Sequence, residues 1–153
     1  MPGLYFDEFS VGQIFEHELR RTITEADNMS FSLMTMNPQP LHIDRHFAKD
    51  TEWGEPLVNS LLTLGLVIGL SVQDTTLGTT IGNLGMTDTR FPAPVLQGDT
   101  VSARTTVTSL RASKSKPDRG VVEFKHEGFN QRGELVCECV RQAMMLKRPE
   151  ANT

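Results

Sequence analysis

The spacing of apolar and polar positions divides the chain into one strand, a helical region and a final run of four strands. Residues 13–24 place isolated apolar side chains among charges, which predicts a strand with one exposed face. The next segment, TEADNMSFSLMTM, starts with the capping-box pair Thr24 and Asp27 and continues with apolar positions, which predicts a short helix. We expect a further turn of helix near residues 45–53, before the sequence GEP interrupts it.

The most apolar part of the chain is residues 58–76, VNSLLTLGLVIGLSVQDTT. Asn59 and Ser60 are good N-cap residues, and apolar side chains occupy every face behind them, which predicts a helix buried on all sides. Its apolar run of about 12 residues is shorter than the roughly 20 that cross a membrane. Gly65 and Gly69 share one face of this helix, and we expect them to let a sheet approach its backbone closely.

Four strand-like segments follow the long helix, at residues 80–92, 100–113, 120–133 and 134–148. The turn NQRG around Gly133 predicts a tight hairpin between the last two. This order of elements predicts an α+β architecture, with a curved antiparallel sheet wrapped around one long buried helix. Such a sheet has exposed edges that a second copy would cover, so we expect a homodimer or a dimer of dimers.

Length and composition fit one globular domain over residues 1–153. The formal net charge of -4 disfavours general binding to nucleic acid or to an anionic membrane surface. The N-terminus has neither the cationic start nor the apolar stretch of a secretion signal, so we expect a cytoplasmic protein. Cys137 and Cys139 have no second Cys/His pair, and no other cluster has metal-ligand spacing, so we expect reduced thiols and no metal.

The segment TMNPQPLHID places a histidine, His42, just after two prolines. Because prolines restrict the backbone, we predict a rigid polar loop that presents this side chain. Histidine can act as a general base near neutral pH, although a histidine in such a loop is also compatible with a structural role. The N-terminus of the long helix, around Ser60 and Leu61, offers unpaired N–H groups to a developing anion. Simple capping by Asn59 and Ser60 is the alternative.

Three motifs in order, NPQPLHID, the long-helix segment and RFPAPVLQGDTV, resemble the MaoC-like branch of the hot-dog fold, the (R)-specific enoyl-CoA hydratases and dehydratases. The resemblance covers residues 5–148. The hydratase signature is aspartate, any residue, Asn-Pro, any residue, then histidine. His42 and Pro40 match it, whereas Asn37 replaces the aspartate and Gln39 the asparagine. Several segments look more similar to a subgroup associated with short branched or dicarboxylic acyl-CoAs, such as mesaconyl-CoA or methylmalyl-CoA.

The resemblance implies hydration or dehydration of a short-chain enoyl-CoA or 3-hydroxyacyl-CoA thioester. Branched and dicarboxylic acyl groups are among the candidate substrates. Coenzyme A is then part of the substrate, and no other cofactor is expected. It implies catalytic roles for His42 as base, for Asn37 in orienting the water or the imidazole, and for Ser60 at the oxyanion site. Asn37 cannot accept a proton, and Asp44 is the nearest carboxylate that could assist His42. We expect substrate contacts from six residues: Gln39, Asn59, Leu61, Arg90, Lys114 and Lys116.

Three of these contacts rest on charge. Lys114 and Lys116 lie in the loop RASKSKPDR, whose cations could bind the phosphates of coenzyme A, and a solvated loop is the alternative. Arg90 could pair with a substrate carboxylate, and a position on the solvent face is the alternative.

Two other functions fit the same scaffold. A hot-dog thioesterase usually has a carboxylate at or near the central helix, where this chain has only Asp74 near the far end. A non-catalytic acyl-CoA-binding protein would retain the scaffold without the aspartate that Asn37 replaces.

Overall fold

A computed structural model describes residues 3–150, and over these residues the chain forms five strands and four α-helices. The strands are β1 (Ile14–Thr22), β2 (Thr80–Arg90), β3 (Thr100–Ala112), β4 (Arg119–Phe129) and β5 (Leu135–Leu146). The helices are α1 (Glu25–Met34), α2 (Pro40–Ile43), α3 (Arg45–Ala48) and α4 (Ser60–Thr75), and a 3-10 turn covers Phe6–Glu8. The strands pair antiparallel in the order β1-β3-β4-β5-β2, which confirms the predicted α+β arrangement.

Helix α4 packs on one face of the sheet through Val67 and Leu70, which join a buried apolar cluster with residues of β3 and β5. The glycine that permits the close approach is Gly128 of β4, where an added Cβ would lie 2.4 Å from a methyl group of Val67. Gly65 and Gly69 lie on a side of α4 where an added Cβ would meet nothing within 4 Å. The prediction that these two glycines face the sheet is therefore wrong.

The side of α4 that bears the two glycines is also open to solvent in the single chain. Leu61, at the start of this side, is 59% exposed, and Gly65 and Gly69 are both exposed. The prediction of a helix buried on all sides is thus wrong for one copy of the chain. Apolar residues occupy the whole circumference of α4, but the sheet covers only part of it.

The segment that leads to His42 is more compact than its prolines predicted. Gln39 has the extended backbone expected before a proline, with a ψ of 116°. Pro40 then begins helix α2, a position where proline is favoured because the first N–H of a helix has no intrahelical partner. His42 therefore lies in a four-residue helix rather than in an extended loop.

A row of hydrogen bonds crosses the buried face of the sheet beneath the C-terminal half of α4. Arg141 Nε donates to His126 Nε2 (3.1 Å), and His126 Nδ1 bonds to Thr105 Oγ1 (2.9 Å). Thr105 Oγ1 bonds in turn to His17 Nε2 (2.8 Å), and His17 Nδ1 bonds to Asp74 Oδ2 (2.7 Å). Arginine can only donate and a carboxylate can only accept, so with neutral imidazoles every bond in the row donates toward Asp74.

The next features concern membrane-spanning helices, metal ligands and cysteines. No helix within residues 3–150 is long and apolar enough to cross a membrane. Over the same residues, no group of three or more His, Cys, Asp or Glu side chains could hold a metal ion. Cys137 and Cys139 are free and buried, and burial raises the pKa of the Cys137 thiol to about 12.

Candidate active site

An apolar cavity of about 240 Å³ lies at the N-terminal end of α4. Two segments are joined at its wall, because Val58 N donates to Val95 O (2.9 Å) and Leu57 forms an isolated β-bridge with Leu96. Ser60 and Thr63 supply the hydroxyl groups of the wall, and none of the described residues that line the cavity carries a charge. The remaining lining residues are apolar: Trp53, Leu57, Val58, Phe91, Pro92, Ala93, Pro94, Val95 and Val136.

The His42 imidazole is bonded to the backbone of this wall. Its Nδ1 lies 2.7 Å from the carbonyl oxygen of Leu57, a residue that lines the cavity. Since a carbonyl oxygen only accepts, Nδ1 carries the hydrogen of this bond. In the neutral ring Nε2 then has a free lone pair, which is the state that a general base requires.

The N-terminus of α4 is capped by Asn59, as predicted. Asn59 Oδ1 accepts the N–H of Leu61 (3.1 Å), and its Nδ2 donates to Ser32 Oγ (3.3 Å). The Asn59 side chain and the Leu61 N–H are thus hydrogen-bonded within the protein, and substrate contacts by Asn59 and Leu61 stay predictions. The N–H of Ser60 has no partner among the described residues, and Ser60 is exposed and lines the cavity. Ser60 therefore offers the free donor at the positive end of α4.

A buried amide missed by the sequence reasoning joins these parts. Asn28 of α1 is fully buried, and its Nδ2 donates to His42 O (3.1 Å) and to Leu57 O (3.0 Å). Its Oδ1 accepts the N–H of Asn59 (2.9 Å). The sequence shows only that Asn28 and Ser32 are four residues apart and so share one face of α1, and the structure shows that both are buried.

Asn37 and Gln39 lie in the turn before α2. Asn37 is half-buried, and its Oδ1 accepts the N–H of Gln39 (3.1 Å). No hydrogen bond within residues 3–150 joins Asn37 to His42. Asp44 is bonded elsewhere, since its Oδ1 accepts the N–H of Phe47 (3.0 Å) and caps α3. The structure therefore does not support Asp44 as a carboxylate that assists His42.

Arg90 lies outside the cavity. Its side chain is 70% exposed, and its nearest carboxylate is Glu138, at 3.9 Å. Glu138 alternates along β5 with Cys137 and Cys139, which are buried on the face toward α4, so Arg90 lies on the opposite face of the sheet. The solvent-face alternative for Arg90 is the one that the structure supports.

Lys114 and Lys116 are exposed in the loop between β3 and β4. This loop follows the end of β3, whereas the cavity lies near the start of β3, where Asp99 and Ile23 are joined by backbone hydrogen bonds. A strand of 13 residues separates the two ends by roughly 40 Å. The structure therefore does not bring these lysines to the cavity of their own chain.

Comparison with known proteins gives a match to the MaoC like domain over residues 8–129. The chain is 36% identical to beta-methylmalyl-CoA dehydratase of Chloroflexus aurantiacus, covering 96% of this chain and 41% of that protein. It is 31% identical to mesaconyl-CoA hydratase of Cereibacter sphaeroides, covering 97% of this chain and 43% of that protein. It is also 31% identical to an (R)-specific enoyl-CoA hydratase of Rhodospirillum rubrum, covering 79% and 78% of the two chains.

Solved structures show the same fold. A monoamine oxidase regulatory protein from Archaeoglobus superimposes with a TM-score of 0.84 and 34% identity, covering 97% of this chain and 98% of that one. A Mycobacterium tuberculosis protein with a double hot-dog fold superimposes with a TM-score of 0.87 and 27% identity, covering 99% and 46%. The chain thus spans less than half the length of the first two relatives and of the double hot-dog structure. The family match, the relatives and the shared fold together show that the chain belongs to the MaoC-like family of hot-dog proteins.

Proposed function

We propose that this chain catalyses the reversible addition of water to the double bond of a short-chain enoyl-CoA, with no cofactor beyond the coenzyme A of the substrate. The observation that carries the proposal is the bond from His42 Nδ1 to the carbonyl oxygen of Leu57, a residue of the cavity wall, because this bond leaves Nε2 free to act as a base. The names of the relatives, which are dehydratases and hydratases of CoA thioesters, support the same reaction class.

Ser60 in the cavity wall, His42 in α2 and Asn37 before α2 each supply a group for the proposed reaction. His42 Nε2 accepts a proton from water while the water oxygen bonds to the β-carbon of the thioester. The negative charge that develops on the thioester oxygen is stabilised by the free N–H of Ser60 and the positive end of α4. The proton held by His42 is then available to the α-carbon, so the two steps together add one molecule of water. Asn37 orients the attacking water through its amide. It cannot act as the base, because an amide does not accept a proton.

The acyl group that fits this cavity is short and neutral. Its walls are apolar, and no described lining residue has a charge that could pair with a second carboxylate. Arg90, the residue expected to provide that pairing, lies on the opposite face of the sheet beside Glu138. A carboxylate buried without a partner costs several kcal/mol, so a dicarboxylic acyl group is disfavoured.

The catalytic unit in this proposal is a homodimer. The edge strand β2 exposes Ile81, Leu84 and Met86, and the glycine side of α4 is open. In the double hot-dog relative, this chain matches 46% of the length, so a second copy would take the place of the other half. Pairing along β2 would also satisfy the unpaired backbone groups of that edge.

Hydrolysis of the thioester is the weaker alternative, because the carboxylate that the alternative needs is placed elsewhere. Asp74 lies near the C-terminal end of α4 and is bonded to His17, whereas the cavity is at the N-terminal end. A thioesterase of this fold would need a carboxylate near the thioester carbonyl.

Incubation with crotonyl-CoA, mesaconyl-CoA and 3-hydroxybutyryl-CoA, followed by mass analysis, tests the proposal. We expect gain of water by crotonyl-CoA, loss of water from 3-hydroxybutyryl-CoA and at least a tenfold lower kcat/KM for mesaconyl-CoA. Release of free coenzyme A would instead show a thioesterase, and binding without conversion would show a non-catalytic acyl-CoA-binding protein. Arg90→Met tests whether Arg90 contributes to the choice of acyl group. This variant should leave the ratio of kcat/KM for crotonyl-CoA to kcat/KM for mesaconyl-CoA unchanged.

A further inference from the structure

The side-chain amide of Asn28 is bonded to three separate parts of the candidate site. Its Nδ2 donates hydrogen bonds to His42 O and to Leu57 O, and its oxygen accepts the N–H of Asn59. These partners belong to helix α2, to the wall of the cavity and to the N-cap of α4. Asn28 itself is fully buried, so water cannot replace any of the three bonds without entering the protein.

The Leu57 carbonyl oxygen links Asn28 to the catalytic ring. It accepts Asn28 Nδ2–H at 3.0 Å and His42 Nδ1–H at 2.7 Å, so both of its lone pairs are used. Asn28 therefore fixes the direction of the carbonyl to which the imidazole is bonded. The same amide holds the backbone of His42, so the ring is constrained at its Nδ1 and at its main chain.

Only asparagine completes this set of bonds at this position. An aspartate of the same shape accepts from Asn59 but cannot donate to both carbonyl oxygens, and a glutamine has an additional methylene group in a fully buried place. The pattern of two donors and one acceptor matches the two carbonyl oxygens and one N–H that converge on this residue.

We propose that Asn28 is the positioning residue of the active site: it holds the Leu57 carbonyl oxygen that sets the Nδ1–H tautomer of His42, and it thereby fixes the imidazole relative to the N-terminus of α4. The expected effect of Asn28 on turnover rests on the proposed hydratase function. The expected effect of Asn28 on the imidazole does not depend on any activity. A displacement of a reacting group by about 1 Å costs on the order of 100-fold in rate, so loss of the amide acts on kcat more than on KM.

The test compares Asn28→Ala with Asn130→Ala. Asn130 is a matched control, because it is also buried and its amide also makes three hydrogen bonds, to Glu134 and Arg132 in the turn between β4 and β5. It shares no hydrogen bond with His42, Leu57 or Asn59 within the described residues. Both variants lose a buried amide, and only Asn28→Ala loses the connection to the imidazole.

Two measurements are made on each variant of the 153-residue chain: the nitrogen NMR shifts of His42 at a pH where the ring is neutral, and kcat and KM for crotonyl-CoA. In the unmodified protein we expect the Nδ1–H tautomer. In Asn28→Ala we expect a shift toward the Nε2–H tautomer and a 10- to 100-fold lower kcat with a smaller change in KM. In Asn130→Ala we expect an unchanged tautomer and a kcat within about twofold of the parent.

An unchanged His42 tautomer in Asn28→Ala, or a loss of kcat no larger than that of Asn130→Ala, would overturn the proposal. If Asn28→Ala does not fold, Asn28→Asp answers the same question, because it keeps the shape and the acceptor and loses at least one donor. If the unmodified protein hydrates no enoyl-CoA, the proposed function fails, while the NMR comparison alone still decides whether Asn28 positions the imidazole.

Discussion

His42 combines a free Nε2 with a ring that is bonded at Nδ1 to the Leu57 carbonyl oxygen. In this arrangement the backbone orients the base, whereas in many enzymes a carboxylate does so. The carbonyl oxygen only accepts, so it sets the tautomer of the neutral ring with the hydrogen on Nδ1. This suits a base that must take a proton from water and return it within one reaction cycle.

Replacement of the imidazole tests the assignment of the base. His42→Ala should lower kcat for crotonyl-CoA by on the order of 100-fold or more, because none of the described residues that line the cavity has an imidazole or carboxylate that could replace it as the base. Thermal unfolding should change little, since the half-buried side chain makes a single hydrogen bond. His46→Ala is the matched control, because His46 is exposed on α3. Turnover by His42→Ala at the parent rate would remove His42 from the mechanism.

Asn37→Asp tests whether the site can use the carboxylate of the family signature. The new carboxylate keeps the acceptor for the Gln39 N–H, so the turn before α2 should be preserved. We expect kcat for crotonyl-CoA to be maintained or raised, because a carboxylate can hold the attacking water at least as well as an amide. Steady-state kinetics beside Asn37→Ala provide the comparison. A collapse of activity in Asn37→Asp alone would show that the Asn37 amide itself is required.

For individual residues, the sequence predicted those that belong to a local motif. It did not predict the roles of residues whose contacts are distant along the chain. The Asn59 cap follows from local spacing and is confirmed, whereas His42 was selected from the two prolines and the family motif, and its catalytic role stays a prediction. Asn28 could not be assigned a role, because its partners are 14 to 31 positions away along the chain. Arg90 was expected at the pocket, but β2 shifts register between Thr87 and Arg90, so its face cannot be counted from strand alternation.

Among the elements, the central strands and α4 are connected by a polar row as well as by apolar packing. The row runs from Arg141 on β5 through His126 and Thr105 to His17 and Asp74. Arg141 Nη2 is buried without a hydrogen-bond partner among the described residues. The bond between Arg141 and His126 requires a neutral His126 ring, because a proton added at His126 Nε2 would face the Nε–H of Arg141.

The row predicts that acid destabilises the fold through His126. Burial, followed by the charges of Arg141 and His17, lowers the pKa of His126 to about 3, against 6.5 for an ordinary histidine. Between these values the unfolded chain binds the proton and the folded chain does not. The free energy of unfolding should therefore fall as the pH drops below about 6.5, by up to ~1.4 kcal/mol per pH unit until about pH 3.

Urea unfolding at pH 7, 6 and 5 measures this dependence on the parent and on His126→Gln. The variant is expected to be less stable at pH 7 and to lose less stability on acidification, because glutamine has no group that titrates in this range. Other carboxylates and histidines contribute equally to both proteins, so the difference between the two slopes isolates His126. Equal slopes would show that His126 is not the source of the acid sensitivity.

The sequence predicted the order and number of these elements well, because each is a local pattern of spacing and turns. It did not predict which side of α4 meets the sheet. Apolar residues all round a helix look the same whether the sheet of one chain or a second copy covers them, and the sequence pattern contains no information to separate the two cases. The Pro40 helix was missed because a proline that ends one extended segment can also begin a helix.

In the whole molecule, two surfaces with exposed apolar side chains are open to solvent. The β2 edge exposes Ile81, Leu84 and Met86, and α4 exposes Leu61 on its glycine side. A single chain of this length leaves them in water, whereas the double hot-dog relative has a second half of similar size. Exposed apolar surface of this extent marks an interaction site more often than a solvated surface.

The exposed β2 edge predicts the oligomeric state. We expect the protein to sediment as a dimer of twice the 17.0 kDa chain mass. Leu84→Arg should yield monomers, because each copy would place an uncompensated charge in an apolar interface formed by β2. Val11→Arg is the matched control, since Val11 is 64% exposed in the turn before β1 and should leave the dimer intact. Sedimentation velocity on the three proteins, followed by crotonyl-CoA kinetics, decides the matter: a stable monomer of the unmodified chain with full activity would contradict the proposed dimer.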